Sequence, residues 1–186
     1  MIMGRGFSFE EHKILTSDSY ILTAWRIYKN VTRKYPAVLN HGLLDSSFSY
    51  IINERNESLA YILADEGYDV WILNNRGNKY SKEHAEWNSR NDKRFWDFTW
   101  EDFAEIDLPA NIEYVKRTTK SEKVIYIAHS QGTLQLFIQL SINPDFQNNL
   151  AAFFGLGPVL HVNHQVNSKN KLKYFLIIFN CSKVLL

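Results

Sequence analysis

The pattern of apolar and polar positions divides the chain into short apolar runs and longer amphipathic stretches. The short runs, each ending near a polar or glycine-containing loop, are "AVLN" from Ala37, "VWIL" from Val70, "VIYIA" from Val124 and "LAAFFGL" from Leu150. Continuous apolar strands that alternate with helices are typical of a parallel sheet covered on both faces. The pattern therefore predicts an α/β fold with a mostly parallel sheet and flanking helices.

A hairpin and a helix are predicted in the first part of the chain. The segment "HKILTSDSYILTAWRIYK" indicates two strands joined at residues 17–19, because apolar residues alternate around a short polar turn. The segment "SLAYILADEG" predicts a helix with Leu59, Ile62 and Leu63 on one face, and Gly67 is its stop signal. These three residues are the expected apolar face of that helix.

A second helix is predicted from Thr99 to about Thr118. Thr99 is a candidate N-cap, and Asp102 at the third position makes a variant of the capping box. Pro109 lies inside this pattern and is expected to kink or split the helix, because proline has no backbone N–H to donate. The polar and aromatic stretch over residues 79–100 is a candidate insertion.

Composition narrows the class of protein. The chain has 186 residues, a hydrophobic share of 45% and a formal net charge of +1, which indicates one globular domain and gives no sign of a nucleic-acid partner. One cysteine excludes an internal disulfide, and no residue cluster has metal-ligand spacing. The N-terminal residues contain no apolar stretch long enough for a signal peptide, and Leu172–Phe179 is too short to span a membrane.

The segment Ala128-His129-Ser130-Gln131-Gly132 lies where a strand meets a helix. It matches the G-x-S-x-G nucleophile pattern, with alanine in place of the first glycine. A tight strand-to-helix turn exposes the serine, and its crowded backbone requires small flanking residues. The Gln131 N–H at the helix start is a candidate oxyanion donor. The alternative is a serine that simply caps the helix.

A second oxyanion donor is predicted in the loop after the strand at Ala37. In folds with this nucleophile turn the second donor comes from such a loop. Gly42 would let the chain turn sharply and leave the Leu43 N–H pointing inward. The alternative is an ordinary strand-end turn with a packed leucine.

Longer segments show a family resemblance. They are "GFSFEEHKILTSDSYILTAWRI", "LNHGLLDSS", "NESLAYILADEGYDVWILNNRGNKYS", "FWDFTWEDFAEIDLPANIEYV" and "IAHSQGT". In this order and spacing they resemble the acid lipase family, the gastric and lysosomal acid lipases of the α/β-hydrolase fold. "NNRGN" and "DLPA" are the most specific of these matches.

The resemblance implies a lipid ester hydrolase. It assigns the nucleophile to Ser130 and the oxyanion donors to Leu43 and Gln131, with no cofactor or metal. The substrate would be a triacylglycerol or sterol ester at a membrane or droplet surface, and the family suggests a secreted or lysosomal protein. One departure is Ser19, which replaces the glycine of the family's "DGY" turn and is unfavourable if the position needs a positive φ.

The second half of the catalytic triad is not evident. In this fold the acid and the histidine follow the serine, after later strands. Asp145 is interpreted as a helix terminator, and His161 and His164 as loop residues. Residues 1–186 are therefore interpreted as a partial α/β-hydrolase domain that lacks the C-terminal strands and the lid. The alternatives are a catalytically inactive fragment and another serine hydrolase, such as a thioesterase or peptidase.

Such a partial domain would expose one edge of its sheet. The run "AAFFGL" over residues 151–156 would have no following strand to pair with, and it contains no charge or proline. An unprotected apolar edge is a template for intermolecular pairing. We therefore expect the chain expressed alone to associate.

Overall fold

The computed structural model describes residues 2–160, and they form one mixed sheet with helices on both faces. Its strands are β1 (Ser8–Leu15), β2 (Tyr20–Tyr28), β3 (Ala37–Asn40), β4 (Val70–Ile72), β5 (Glu83–His84), β6 (Val124–His129) and β7 (Leu150–Leu156). Their spatial order is β1-β2-β4-β3-β6-β7, with β5 paired to β2. The strands from the short apolar runs, β4, β3, β6 and β7, pair in parallel, which confirms the predicted sheet.

The helices pack on opposite faces of this sheet. They are α1 (Leu59–Asp65), α2 (Trp100–Asp102), a π-helix (Phe103–Asp107), α3 (Leu108–Thr119) and α4 (Gln131–Ile142). Short 3-10 helices cover Met3–Arg5, Ser47–Tyr50, Lys93–Trp96 and Pro144–Asn149. One hydrophobic core joins α3 and α4 to the sheet, and a second joins α1 to its other face.

The helix predicted from Thr99 is present, and it changes geometry before its proline. The Thr99 side chain accepts a backbone N–H, and the Asp102 side chain accepts the Thr99 N–H, so the capping box is confirmed. Pro109 cannot donate to the carbonyl of Glu105, and the wider π turns lie directly before it. The helical segment is therefore not split at Pro109: it passes through the π turns and continues as α3 beyond the proline.

The turn between β1 and β2 requires a positive φ. Ser19 has φ 73°, in the left-handed region that favours glycine. The Thr16 N–H donates to the Tyr20 carbonyl at 2.9 Å and closes the turn. The serine at this position is therefore unfavourable, as expected from its departure from the family pattern.

The apolar face predicted for α1 is only partly correct: Leu59 and Leu63 pack against the core as expected, but Ile62 does not. The deepest residues of α1 are Ala60, Tyr61 and Ala64, whereas Ile62 is 40% exposed. Tyr61 stacks on Phe7 at 5.1 Å between ring centroids, a contact from far along the chain that the helical period does not reveal.

The segment 79–100, the candidate insertion, packs as part of the domain. It contains β5, which extends the sheet beside β2. Phe95 is fully buried, and its carbonyl accepts the Tyr20 hydroxyl at 2.6 Å.

β7 lies at the edge of the described sheet. Within residues 2–160 it pairs with β6 alone. Phe153 turns inward against Tyr126 and Phe137, whereas Phe154 is 48% exposed. The described residues therefore contain the expected apolar edge, and Phe154 is its outward-facing aromatic residue.

Candidate active site

Ser130 occupies a strained turn between β6 and α4. Its φ of 49° and ψ of −114° lie outside the regions that L-residues ordinarily adopt. The turn is held from both sides: the Ser130 N–H donates to the Leu156 carbonyl at 2.9 Å, and the Ser130 carbonyl accepts the Thr133 hydroxyl at 2.6 Å. The serine side chain makes no capping hydrogen bond, so the helix-cap alternative is wrong. A strained residue fixed by its surroundings is typical of a functional site.

Small residues allow the loop after β3 to approach this turn. A Cβ atom on Gly132 would lie 2.9 Å from the carbonyl oxygens of both Asn40 and His41. Ala128 is fully buried in β6, where it pairs with Asn40. The requirement for small residues on both sides of the serine therefore has a direct steric cause.

The same loop lies against the serine at Gly42. A Cβ atom on Gly42 would lie 3.2 Å from Ser130 Cβ and 3.0 Å from His129 Nδ1. The Leu43 side chain is 43% exposed, so the alternative of a packed leucine is not what the structure shows. Within residues 2–160, neither the Leu43 N–H nor the Gln131 N–H donates to an acceptor. Gly42, the residue before Leu43, thus lies beside Ser130 at the carboxyl ends of β3 and β6.

A buried polar network lies beneath the turn. Asn40 Nδ2 donates to the Tyr126 hydroxyl at 2.8 Å and to Gln135 Oε1 at 2.7 Å, while the Asn40 carbonyl accepts the Tyr50 hydroxyl at 2.7 Å. The Tyr126 hydroxyl in turn donates to the Gly132 carbonyl at 3.0 Å. Burial raises the pKa of Tyr126, so its hydroxyl keeps the proton that it donates. These contacts join β3, β6 and the first turn of α4.

His41 is buried and bonded at both ring nitrogens. Its Nδ1 lies 2.8 Å from the Gly42 carbonyl oxygen, and its Nε2 lies 3.2 Å from the Asn75 backbone nitrogen and 3.1 Å from Asn78 Nδ2. Burial lowers the pKa of His41, although the Gly42 carbonyl and Asp45 partly oppose this. Both nitrogens are engaged away from the serine, so His41 is not its base.

The two most specific sequence motifs meet in a buried ion pair. Arg76 of "NNRGN" donates from Nε and Nη2 to Asp107 Oδ1 of "DLPA" at 2.9 and 2.6 Å, and its backbone N–H donates to Asp107 Oδ2 at 3.3 Å. Each side chain is 1% exposed. Burial raises the pKa of Asp107 to about 6, against the lowering effect of Arg76, so the carboxylate is ionised at neutral pH.

Arg76 also reaches the hairpin turn between β1 and β2. It donates to both oxygens of Asp18, and its guanidinium lies 4.0 Å from the centroid of the Tyr20 ring. Burial disfavours the Asp18 carboxylate, but hydrogen bonds from Arg76 and Thr16 outweigh it and lower the pKa of Asp18. No local pattern in the sequence signals this contact, because Asp18 and Arg76 lie 58 residues apart.

The described residues do not supply a complete triad. Within residues 2–160, no histidine or carboxylate hydrogen bonds to Ser130 Oγ. Asp145 is exposed in the 3-10 helix Pro144–Asn149, after α4 has already ended at Ile142, so its interpretation as the terminator of that helix is wrong. His161 and His164 lie outside the described residues.

Neither a metal-binding cluster nor a membrane-spanning helix occurs in the described part of the chain. This part contains no group of three or more His, Cys, Asp or Glu side chains placed to hold a metal ion. It also contains no helix with the length and apolar character needed to cross a membrane.

Comparison with known proteins identifies relatives over most of the chain. A family model described as "alpha/beta hydrolase fold" matches residues 35–174, and one described as "partial alpha/beta-hydrolase lipase region" matches residues 1–54. The chain is 39% identical over 178 residues to gastric triacylglycerol lipase of Mus musculus, covering 92% of this chain and 45% of that protein. It is 38% identical over 176 residues to lipase member J of Homo sapiens, covering 91% and 48%. The chain thus spans about half the length of the curated relatives it matches.

Solved structures agree on the fold. An esterase from Pyrococcus furiosus superimposes with a TM-score of 0.60 at 21% identity, over 82% of this chain and 50% of that one. An epoxide hydrolase from Vigna radiata superimposes with a TM-score of 0.57 at 18% identity, over 85% and 43%. Together with the sequence matches, they establish that the chain belongs to the acid lipase family of α/β hydrolases, of which it matches the N-terminal part.

Proposed function

We propose that this protein hydrolyses lipid carboxylic esters, such as acylglycerols or sterol esters, through an acyl-enzyme on Ser130. The observation that carries the proposal is the strained serine turn, with Gly42 packed against it and two free backbone N–H groups beside it. The relatives named as lipases support the substrate class.

The proposed reaction follows from these groups. Ser130 Oγ attacks the ester carbonyl carbon and gives its proton to a base, and the carbonyl oxygen becomes an oxyanion. The N–H groups of Leu43 and Gln131 donate to that oxyanion, and the N-terminus of α4 adds its positive dipole end. The alcohol then leaves with a proton, and water hydrolyses the acyl-serine.

Exposed leucines around the serine support a lipid substrate over a peptide or a small thioester. Leu43 and Leu44 lie in the loop after β3 and are 43% and 97% exposed. The backbone of Leu44 has φ 59°. Leu156, whose carbonyl accepts the Ser130 N–H, is 43% exposed on the other side. We propose that this apolar rim contacts acyl chains at a membrane or droplet surface.

The proposal places the general base outside residues 2–160, since none of those residues bonds to Ser130 Oγ. In a comparable enzyme, loss of the base costs about 10⁶ in turnover. Because His161 and His164 are interpreted as loop residues and not as the base, we expect the 186-residue chain alone to hydrolyse a nitrophenyl ester negligibly. Turnover that disappears in Ser130→Ala would instead place a base within this chain, and His161 and His164 would be the candidates.

The test supplies the base from solution. Hydrolysis of nitrophenyl octanoate is measured for the chain and for Ser130→Ala across a series of imidazole concentrations. We expect imidazole to produce a rate in the parent chain that exceeds the rate in Ser130→Ala, because imidazole accepts the serine proton. Equal rates in the two proteins at every concentration would overturn the assignment of Ser130 as nucleophile.

A further inference from the structure

The loop over residues 74–78 hydrogen bonds to the His41 side chain, at the start of the candidate oxyanion loop. The Asn75 backbone nitrogen lies 3.2 Å from His41 Nε2. A backbone N–H can only donate, so Nε2 must be the unprotonated nitrogen of this ring. The proton is then on Nδ1, which donates to the Gly42 carbonyl at 2.8 Å.

This hydrogen bond fixes the direction of the Leu43 N–H. The Gly42 carbonyl and the Leu43 N–H belong to one planar trans peptide, in which they point in opposite directions. Because His41 holds the carbonyl on its own side, the N–H points away from His41. Gly42 itself lies against Ser130.

We propose that His41 is a positioning residue that aims the Leu43 N–H at the oxyanion, and that the "NNRGN" loop serves to hold the His41 ring in the required tautomer. This inference rests on the proposed function, because it concerns a donor to the oxyanion of that reaction. It gives a role to the motif that the catalytic groups leave unexplained.

The loop over residues 74–78 is held by hydrogen bonds on both sides of Asn75. Asn74 Oδ1 accepts the Ser47 N–H at 3.0 Å and Asn78 Nδ2 at 2.9 Å. Asn78 Nδ2 also lies 3.1 Å from His41 Nε2. His41 Nε2 therefore accepts from two donors, the Asn75 N–H and Asn78 Nδ2. On the other side of Asn75, both the backbone and the side chain of Arg76 are bonded to Asp107. The donor to His41 is thus fixed at both of its chain neighbours.

The surroundings of His41 keep its ring neutral. A proton on Nε2 would face the Asn75 N–H and break that contact. The ring is 3% exposed, and the titratable groups that face it are Asp45, which favours its charged form, and His129, which opposes it. Burial exceeds the effect of Asp45 and lowers the pKa of His41. The positioning contact is therefore retained as the pH falls below the usual range of histidine.

The first test is the tautomer, measured by ¹⁵N NMR of the histidine rings at pH 7.5. We expect His41 to carry its proton on Nδ1. His84 is an internal control with the opposite arrangement, because its Nδ1 accepts the N–H groups of Glu86 and Trp87 and its Nε2 donates to the Asp18 carbonyl. A His41 ring protonated at Nε2, or at both nitrogens, would overturn the proposal whether or not the chain hydrolyses esters.

Two variants then separate positioning from general stability. His41→Asn keeps an N–H donor near the Nδ1 position, whereas His41→Gln keeps an acceptor near the Nε2 position. With imidazole as the base, we expect His41→Gln to lose about 100-fold in the Ser130-dependent rate, the effect of one oxyanion donor, and His41→Asn to lose less than about tenfold. KM should change little in either. Equal losses in both variants, in proportion to their melting temperatures, would overturn the positioning role. A parent chain with no Ser130-dependent rate would count against the proposed function alone, since the tautomer is measured independently.

Discussion

Two loops at the carboxyl ends of the parallel strands use their polar groups in opposite ways. The turn at Ser130 follows β6 and leaves the serine side chain without a capping bond and the Gln131 N–H free within the described residues. The loop at Arg76 follows β4 and pairs the guanidinium with two carboxylates. Within the described residues, the turn at Ser130, here the reactive turn, thus leaves the Gln131 N–H available to a ligand. In the loop at Arg76, here the supporting loop, the guanidinium N–H groups are bonded to Asp18 and Asp107.

The two loops also differ in where they place backbone strain. Both contain a positive φ, which is 80° at Gly77 and 49° at Ser130. In the supporting loop a glycine adopts it, and a Cβ there would lie 2.6 Å from the Phe98 ring. In the turn at Ser130 a serine adopts it. Of these two loops, only the one with the candidate nucleophile therefore carries strain that a glycine would relieve.

The largest expected effect is in the supporting loop. Asp107→Asn leaves the charge of Arg76 buried with one fewer anionic partner, and breaking a buried pair costs about 3–5 kcal/mol. We expect a loss of about this size in the free energy of unfolding, measured by urea denaturation. Asp65→Asn is the control, because Asp65 pairs with Arg55 at the surface and should cost less than about 1 kcal/mol. A loss in Asp107→Asn no larger than the control would remove the contrast between the loops.

The next effect is steric and lies in the reactive turn. The added methyl group of Gly132→Ala would stand 2.9 Å from two backbone oxygens, so the loop after β3 must shift. Overpacking of this kind costs about 1–3 kcal/mol. Gly4→Ala is the control, because it has nothing within 4 Å of the new Cβ. If thermal melts show both variants to be neutral, the close approach of the two loops is wrong.

A smaller effect of opposite sign is expected at Ser130. Ser130→Gly removes the side chain that is strained at positive φ, and we expect the free energy of unfolding to rise by about 1 kcal/mol. Ser130→Ala keeps the strain and should leave stability nearly unchanged, while both variants abolish the Ser130-dependent rate. Ser141→Gly, in the exposed last turn of α4, is the control and should lower stability by about 0.5–1 kcal/mol. A Ser130→Gly variant less stable than Ser130→Ala would contradict strain at the nucleophile.

The smallest effect is the pH dependence of the stabilisation that Asp18 provides through its hydrogen bonds with Arg76. Because the pKa of Asp18 is lower in the folded state than in the unfolded chain, its stabilising effect is present above the unfolded value and is lost as pH falls through the folded value. The stability difference between the parent chain and Asp18→Asn should therefore be constant near neutrality and shrink below about pH 4. Urea denaturation at a series of pH values measures it. A stability difference that grows towards acid pH would show that folding raises the pKa of Asp18, which would contradict this prediction.

Much of the fold and the position of the strained serine turn could be predicted from the sequence. The short apolar runs specified the parallel strands, and Thr99 with Asp102 specified a helix start, because these signals depend on neighbours a few residues apart. The serine between small residues, at a strand-to-helix junction, predicted the turn at Ser130 for the same reason.

Other features were decided only by the tertiary structure. The buried face of α1 follows the contact of Tyr61 with Phe7, and the partner of Arg76 lies 31 residues away in Asp107. The tautomer of His41 depends on the Asn75 N–H, which lies 34 residues away in the loop after β4. Neither periodicity nor local spacing records which distant group a side chain will meet. The sequence by itself therefore determined where the candidate nucleophile lies, and the packing of distant loops decided what holds it in place.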